Sequence, residues 1–356
     1  MNGPVRRRRV MGTAVALAAL LAAALAGCAV PASGSGAAAP AQGAAQAQGA
    51  APAQGAASAQ GAAAVPGSAV AAHVTARAAS AATCNPLASL RPPAGPPAVT
   101  GGSWAARIQA RGYLIAGVDQ STYHFGYLNP LDRQIEGFDI DMILAVARAI
   151  FGPSLTDSQV RAKIHFVAIS DNDRIPDVQN GTVDIVAHTM TINCQRLTQV
   201  DFSTVYFEAH ARVLVLKPAE GSAPPTLAKL GSEHDKVCAT QGSDSVAVIQ
   251  SYHGIPVQEP YWTDCLVLLQ EGQVAGVTTD DSILDGLAAQ DPFTVVTGPN
   301  LTDEPYGLAI SQSHPDFVRF VNAVLQQERT DGQWAASYAR WVGTPVAPIP
   351  HAEYAS

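Results

Sequence analysis

Five cysteines are the residues with the clearest chemistry, because a thiol can be acylated, oxidised or bound to a metal. They lie at positions 28, 84, 194, 238 and 265. The nine histidines show no metal-ligand spacing with these cysteines, so no metal site is predicted. Acylation and disulfide formation remain, and both depend on export of the chain.

Residues 1–27 have the order of a secretory signal peptide. Residues 6–9 are four arginines, and residues 10–26 are apolar or small except for Thr13. The apolar run is shorter than the ~20 residues that a bilayer-spanning helix needs, which disfavours a permanent membrane helix. The run ends in Leu-Ala-Gly followed by Cys28, which resembles a bacterial lipobox. We therefore expect cleavage before Cys28, lipidation of its thiol and anchoring at the extracytoplasmic face of the cell membrane.

The charge of the chain excludes one class of partner. The sequence has 21 basic and 29 acidic residues, a net charge of −8, and loss of the four arginines leaves 17 against 29, or −12. An exported acidic domain is a poor candidate for binding nucleic acid, so none is expected as a partner.

Residues 28–83 are predicted to be the lipidated cysteine followed by a disordered tether rich in Ala, Gly and Gln. Within residues 29–83 the only formally charged residue is Arg77, and there is no aromatic residue, so the segment cannot bury enough apolar surface to offset its ordering entropy. A tether of about 55 residues has a root-mean-square reach on the order of 40 Å.

From residue 84 onward, strand-like and helix-like segments alternate, which predicts an α/β fold. In the first round we expect a helix over 142–151 with Asp139 or Asp141 as its N-cap. A β-rich segment at 211–216 precedes a second round of alternation, so two lobes are predicted. The other predicted elements of the first round are strands at 111–118, 164–169 and 183–187 and a helix at 175–180.

Three strings in this order carry a family resemblance: Gly137–Asp141 (GFDID), Met190–Arg196 (MTINCQR) followed by Val200–Ser203 (VDFS), and Val274–Asp280 (VAGVTTD). Together they resemble the bacterial extracellular solute-binding proteins of family 3, the polar-amino-acid receptors of ABC importers. Within that family the chain looks like the actinobacterial glutamine/glutamate-binding lipoproteins, which share the long low-complexity tether and cysteines in similar places. The resemblance covers about residues 84–344.

The resemblance implies a two-lobe periplasmic-binding-protein fold, the type II Venus flytrap, with two hinge crossovers. It places the first lobe at 84–211 with 306–344, the second lobe at 212–305, and a C-terminal tail at 345–356.

The resemblance also implies partners for the two charged ends of an amino acid. Arg196 matches an arginine that holds the ligand α-carboxylate, and Thr191 matches the hydroxyl residue beside it. Asp280 matches the aspartate that binds the α-ammonium, whereas Asp281 could cap the following helix. Ser243 opens a strand-to-helix connection whose free N–H groups could bind the same carboxylate, although plain N-capping there stays open.

Three further residues are candidates with weaker support. Phe125 matches an aromatic residue that covers the aliphatic part of the ligand, with core packing as the alternative. Thr189 stands where many members of the family carry glycine, and His188 precedes it, so their contact with the ligand is open. A lone histidine is more often structural.

The four cysteines after Cys28 are expected to be oxidised in an exported chain, which allows three pairings. Cys84 and Cys194 fall in the first predicted lobe, and Cys238 and Cys265 in the second. A bridge between lobes would hinder hinge closure, so we predict Cys84–Cys194 and Cys238–Cys265.

The function implied is that of a monomeric, membrane-anchored receptor that binds a small polar amino acid and delivers it to an ABC permease. Glutamate, glutamine, aspartate and asparagine are the expected ligands, and no cofactor is expected. Two alternatives stay open: an amino-acid sensor lipoprotein, and a periplasmic lyase of the cyclohexadienyl dehydratase type. No G-x-S-x-G or H-E-x-x-H motif is present, so we predict that the chain is not an enzyme.

Overall fold

Residues 84–355, the part of the chain that the computed structural model describes, contain ten α-helices and sixteen strands. The helices are α1 Trp104–Arg111, α2 Phe138–Phe151, α3 Asp157–Arg161, α4 Arg174–Asn180, α5 Leu227–Ser232, α6 Ser245–Ser251, α7 Trp262–Gln270, α8 Asp281–Gln290, α9 Pro315–Asp331 and α10 Gln333–Trp341. The strands are β1 Ala88–Ser89, β2 Leu114–Val118, β3 Ser121–Thr122, β4 Gly126–Leu128, β5 Ile135–Glu136, β6 Ile164–Ala168, β7 Ile185–Ala187, β8 Asp201–Phe202, β9 Phe207–Leu216, β10 Lys236–Thr240, β11 Ile255–Glu259, β12 Gly276–Asp280, β13 Thr294–Thr297, β14 Asp303–Tyr306, β15 Ala309–Ile310 and β16 Glu353–Tyr354.

The first lobe is built on a five-stranded sheet in the order β6-β2-β7-β15-β8. Strand β2 runs parallel to β6 and β7, and β15 runs antiparallel to β7 and β8. Because β15 comes from the last part of the chain, this lobe is formed by two separated stretches of sequence. Helices α2 and α9 supply much of its core.

The second lobe is built on a sheet in the order β11-β10-β12-β9-β13. Strands β10, β11 and β12 run parallel, whereas β9 runs antiparallel to β12 and β13. Its own hydrophobic core lies between this sheet and the helices α5 to α8. The fold is therefore α/β with two lobes, as the sequence predicts.

Two antiparallel strands, β9 and β14, carry the chain between the lobes. Residues 207–210 of β9 pair with β14, and residues 211–216 pair with β12 and β13. The chain leaves the first sheet through β9 and returns to it through β14, so these strands are the two hinge crossovers.

Helix α2 shows where the local sequence prediction was wrong. The helix begins at Phe138, its N-cap is Gly137, and Asp139 and Asp141 lie inside its first turn. Gly137 has a φ of 137°, and a Cβ there would lie 2.1 Å from the carbonyl oxygen of Phe125. Glycine is required at this entry because the backbone of Phe125 leaves no room for a side chain.

Both predicted disulfides are present in the described residues. Cys84–Cys194 joins the start of the first lobe to the segment before β8, and Cys238–Cys265 joins β10 to α7 inside the second lobe. Each bridge therefore lies within one lobe and does not cross the cleft.

The region assigned to a C-terminal tail contributes a strand. Strand β16 pairs in parallel with β1, and the Ser89 hydroxyl of β1 donates a hydrogen bond to the Phe202 carbonyl at 2.7 Å. Asn322 of α9 donates to the same hydroxyl at 2.8 Å. The sequence analysis did not predict this pairing.

Residues 1–83, with the predicted signal peptide, Cys28 and tether, lie outside the described residues. Among residues 84–355, no helix has both the length and the hydropathy that a membrane crossing requires.

Candidate functional site

A small, polar cavity lies between the two lobes, with a volume of about 20 Å³. Five of the predicted site residues line it: Thr189, Thr191 and Arg196 from the first lobe, and Ser243 and Asp280 from the second. This volume suits a single water molecule. An amino acid can therefore enter only if the lobes part or the lining side chains move.

Arg196 begins a short 3₁₀ turn and is 6% exposed. Its Nη1 donates to the Thr191 carbonyl at 2.7 Å and lies 2.9 Å from Oδ2 of Asp244 on the second lobe. Burial lowers the pKa of Arg196, and the nearby Arg174 adds to this effect. A guanidinium nevertheless keeps its charge in proteins, so Arg196 presents a buried cation to the cavity.

Asp280, the last residue of β12, is 6% exposed and faces the cavity. Its Oδ2 accepts a hydrogen bond from the Tyr306 hydroxyl at 2.5 Å. Burial raises the pKa of Asp280 well above its ordinary value, and the charge of Glu304 raises it further. Asp281 points elsewhere: its carboxylate accepts from the backbone N–H of His210 at 3.1 Å and of Ser282 at 2.8 Å.

Thr191 is tied to an acid that the sequence analysis missed. Its hydroxyl donates to Oε2 of Glu304 at 2.6 Å, and Thr302 donates to Oε1 at 2.6 Å. Glu304 belongs to the hinge strand β14, is 5% exposed and lines the cavity. Its position could have been found only from the pairing of β14 with β9, which brings the hinge beside Thr191.

Ser243 lies on the rim, and its hydroxyl donates to the Thr240 carbonyl at 2.8 Å. The N-cap of α6 is Asp244, but neither Ser243 nor Asp244 makes a side-chain capping hydrogen bond. The carboxylate of Asp244 instead reaches across the cleft to Arg196 and to Nδ2 of Asn193, at 3.1 Å.

Thr189 has a φ of 41°, in the left-handed region that β-branched residues rarely occupy. Its N–H donates to Oδ2 of Asp139 at 2.8 Å, and the Tyr206 hydroxyl donates to Oδ1 at 2.7 Å. Burial raises the pKa of Asp139 to about 6. Glycine would adopt this backbone conformation without the steric cost that a side chain brings.

His188 does not line the cavity but contacts Asp171, a residue that does. Its Nε2–H donates to the Ile169 carbonyl at 3.0 Å, and its Nδ1 lies 3.4 Å from Oδ1 of Asp171. Asp171 in turn pairs with Arg174 at 3.0 Å, and both of these residues line the cavity. The sequence analysis missed this ion pair, although its i, i+3 spacing at the start of a helix was a usable signal.

Phe125 does not line the cavity, and its surroundings favour the core-packing alternative that the sequence left open. It is 1% exposed, and its ring packs against Phe207 at 4.9 Å and against Phe138 and Tyr306 at 6.0 Å. These contacts place it in the first-lobe core. The aromatic residue that does line the cavity is Trp262, at the start of α7 in the second lobe.

Several contacts close the cleft around the cavity. Arg174 donates to the Gly242 carbonyl at 3.2 Å, and Asn172 donates to Gln241 at 3.3 Å. Gly286 of α8 in the second lobe also lies close to Tyr123 of the first lobe. A Cβ on Gly286 would be 2.7 Å from the Tyr123 carbonyl oxygen. The lobes therefore meet through backbone as well as side chains.

The cavity thus offers a buried cation from one lobe and a buried acid from the other. Comparison with known proteins identifies the family of the chain. A model of the bacterial extracellular solute-binding proteins, family 3, matches residues 114–344. The chain is 34% identical over 239 residues to the ABC transporter glutamine-binding protein GlnH of Bacillus subtilis (strain 168), covering 67% of this chain and 84% of that protein. It is 33% identical over 215 residues to the glutamine-binding protein of Geobacillus stearothermophilus, covering 60% and 78%.

Solved structures of amino-acid-binding proteins also align with this chain. An ancestral arginine-binding protein bound to glutamine aligns with a TM-score of 0.57 and 27% identity, over 65% of this chain and 99% of that one. An ancestral amino acid-binding protein described as a precursor of cyclohexadienyl dehydratase aligns with a TM-score of 0.59 and 27% identity, over 67% and 99%.

Proposed function

We propose, from the premise that this chain belongs to family 3 of the bacterial extracellular solute-binding proteins, that it captures a free polar amino acid between its lobes and delivers it to an ABC permease. Glutamine, glutamate, asparagine and aspartate are the proposed ligands. The names of the Bacillus and Geobacillus relatives, both glutamine-binding proteins, support this class.

The observation that carries the proposal is the placement of opposite charges on opposite lobes. Arg196 of the first lobe offers a guanidinium fork for an α-carboxylate, and Asp280 of the second offers a carboxylate for an α-ammonium. A zwitterion contacts both only when the cleft is shut. Ligand then stabilises the closed arrangement by its greater affinity for it.

Three further residues that line the cavity are proposed to contact the ligand: Thr189, Thr191 and Ser243. Thr191 already holds Glu304, and Ser243 adjoins the Gly242 backbone that both arginines contact. We assign His188 and Phe125 supporting roles, in the wall and in the core.

The anchor is part of the same proposal. The lipobox-like string before Cys28 supports lipidation of that residue, and the composition of residues 29–83 supports a tether between the membrane and the first lobe. A receptor held in this way stays within reach of a permease.

Calorimetric titration of the purified protein against the common amino acids tests the proposal. We expect saturable binding of at least one of the four proposed ligands, and no binding of the same amino acid with its α-carboxylate blocked as an ester. Recovery of the ligand unchanged after long incubation would support a receptor, whereas its conversion would support the lyase alternative. Absence of binding across the whole panel would contradict the proposal.

A further inference from the structure

We propose that the cavity selects ligands whose side chain carries no negative charge, so that glutamine and asparagine bind in preference to glutamate and aspartate, and that Glu304 sets this preference. The inference rests on the proposed function and narrows its ligand class.

The charged groups that line the cavity are four acids and two arginines: Asp171, Asp244, Asp280, Glu304, Arg174 and Arg196. Arg174 and Asp171 pair with each other at 3.0 Å, with side chains only 4% and 3% exposed. Arg196 and Asp280 are taken by the two ends of the zwitterion. No cation among these lining residues is left for a second ligand carboxylate.

Two of the lining acids, Asp244 and Glu304, remain without a partner in this account of the zwitterion. The side chain of Asp244 is 38% exposed, so water can solvate it once a ligand displaces it from Arg196. Glu304 is different, because it is 5% exposed and only the neutral hydroxyls of Thr191 and Thr302 hold its carboxyl group. Among the described residues, no basic group lies within 4.0 Å of that carboxyl.

Four acids and two arginines line the cavity, so its formal charge is negative. Burial raises the pKa of Glu304 most; the hydroxyls of Thr191 and Thr302 and the charge of Arg196 lower it, and the charge of Asp244 raises it. The charge of Glu304 in turn raises the pKa of Asp280. A second ligand carboxylate would add a like charge within several ångströms, where effective dielectric screening is weak. An amide of the same shape adds none and can donate a hydrogen bond to an acid.

The experiment compares four ligands on one protein. Glutamine, glutamate, asparagine and aspartate are titrated by calorimetry at pH 7.5 into the wild type. We expect each amide to bind at least about tenfold more tightly than its acid. As the pH falls through the raised pKa of Glu304, the ratio should narrow because Glu304 takes up a proton.

Glu304→Gln isolates the cause. The variant should reduce the glutamine-to-glutamate ratio by about tenfold, chiefly through tighter binding of glutamate. Asp303→Asn is the matched control, because it removes the same charge one residue away on a side chain that is 94% exposed, and it should leave the ratio unchanged. Melting curves establish that both variants fold.

Three results would decide against the inference. Wild-type protein that binds glutamate as tightly as glutamine overturns it, and so does an unchanged ratio in folded Glu304→Gln. If none of the four amino acids binds, the proposed function fails and the preference fails with it. If glutamine and glutamate bind equally well, the proposed function is supported and only the preference for amides is contradicted.

Discussion

The guanidinium of Arg196 on the first lobe lies 2.9 Å from the carboxylate of Asp244 on the second. Asp244 thus occupies the position relative to Arg196 that we propose for the α-carboxylate of the ligand. The two carboxylates would compete for one guanidinium, and Asp244 can leave it because its side chain is 38% exposed.

Arg196→Ala should abolish most of the ligand affinity. The substitution removes a charge-assisted fork and leaves the bound carboxylate unpaired in a buried site, at a cost of about 2 to 5 kcal/mol. Calorimetric titration with glutamine measures the loss. Arg148→Ala, which removes a half-buried arginine paired with Asp157 away from the cavity, is the control and should bind as the wild type does. A folded Arg196→Ala protein with unchanged affinity would place the ligand elsewhere.

Asp244→Asn should strengthen ligand binding. The amide keeps the shape of the side chain but no longer holds Arg196 by charge, so the ligand carboxylate displaces a weaker competitor. Removal of a partly exposed ion pair corresponds to about 1 kcal/mol, or roughly fivefold in affinity. The same titration, with the dissociation rate measured by stopped flow, tests this. Weaker binding would show that Asp244 assists the ligand.

Asp280 should make ligand binding depend on pH. Because burial and Glu304 raise the pKa of Asp280, this carboxyl keeps its proton to a higher pH than an ordinary aspartate. An α-ammonium requires the ionised form, so affinity should fall as the pH falls through the raised pKa, and binding below it should release a proton. Titration in buffers of different ionisation enthalpy detects that proton.

Asp280→Asn is the variant for this test. It should weaken binding by about 1.5 to 3 kcal/mol, the value of a hydrogen bond to a charged group. It should also flatten the pH dependence. A pH profile as steep as that of the wild type would assign the proton to another group.

Gly286→Ala should weaken ligand binding without weakening the fold. Its Cβ would meet the Tyr123 carbonyl oxygen of the other lobe at 2.7 Å, so closure would cost about 1 to 3 kcal/mol. Alanine inside a helix is otherwise favourable by about 0.5 to 1 kcal/mol. Gly231→Ala provides the contrast, since its Cβ would meet the Tyr252 carbonyl oxygen of its own lobe at 1.7 Å and should lower the melting temperature. Wild-type affinity in Gly286→Ala would contradict this view of closure.

Cys28→Ala should release the protein from membranes. The thiol is the proposed acylation site, and multiple acyl chains anchor a protein stably where one chain does not. Cell fractionation followed by immunoblotting compares the variant with the wild type. An unmodified Cys28 that is still preceded by residues 1–27 in mass spectra would contradict the anchor.

The features that could be predicted are those that a short stretch of sequence determines. The alternation of strands and helices gave two α/β lobes, and the string around Arg196 gave a residue that lines the cavity. Both disulfides could be predicted once the lobes were known, because a bridge across the cleft would oppose hinge motion.

The remaining features depend on packing between distant segments. Phe125 is an aromatic residue of the kind that packs over the aliphatic part of a ligand, yet its ring packs against those of Phe138 and Phe207 in the core. Glu304 reaches the cavity only because β14 pairs with β9. The pairing of β1 with β16 joins segments more than 260 residues apart, and no short string signals it.

The bridge between Cys84 and Cys194 also has a mechanical consequence. Cys84 is the residue at which residues 1–83 join the described part of the chain. Its disulfide partner, Cys194, lies two positions before Arg196. A pull applied through residues 1–83 is therefore borne by the first lobe and does not pass through β9 or β14. With the anchor that we propose at Cys28, the second lobe could therefore move relative to the first without changing the load on residues 1–83.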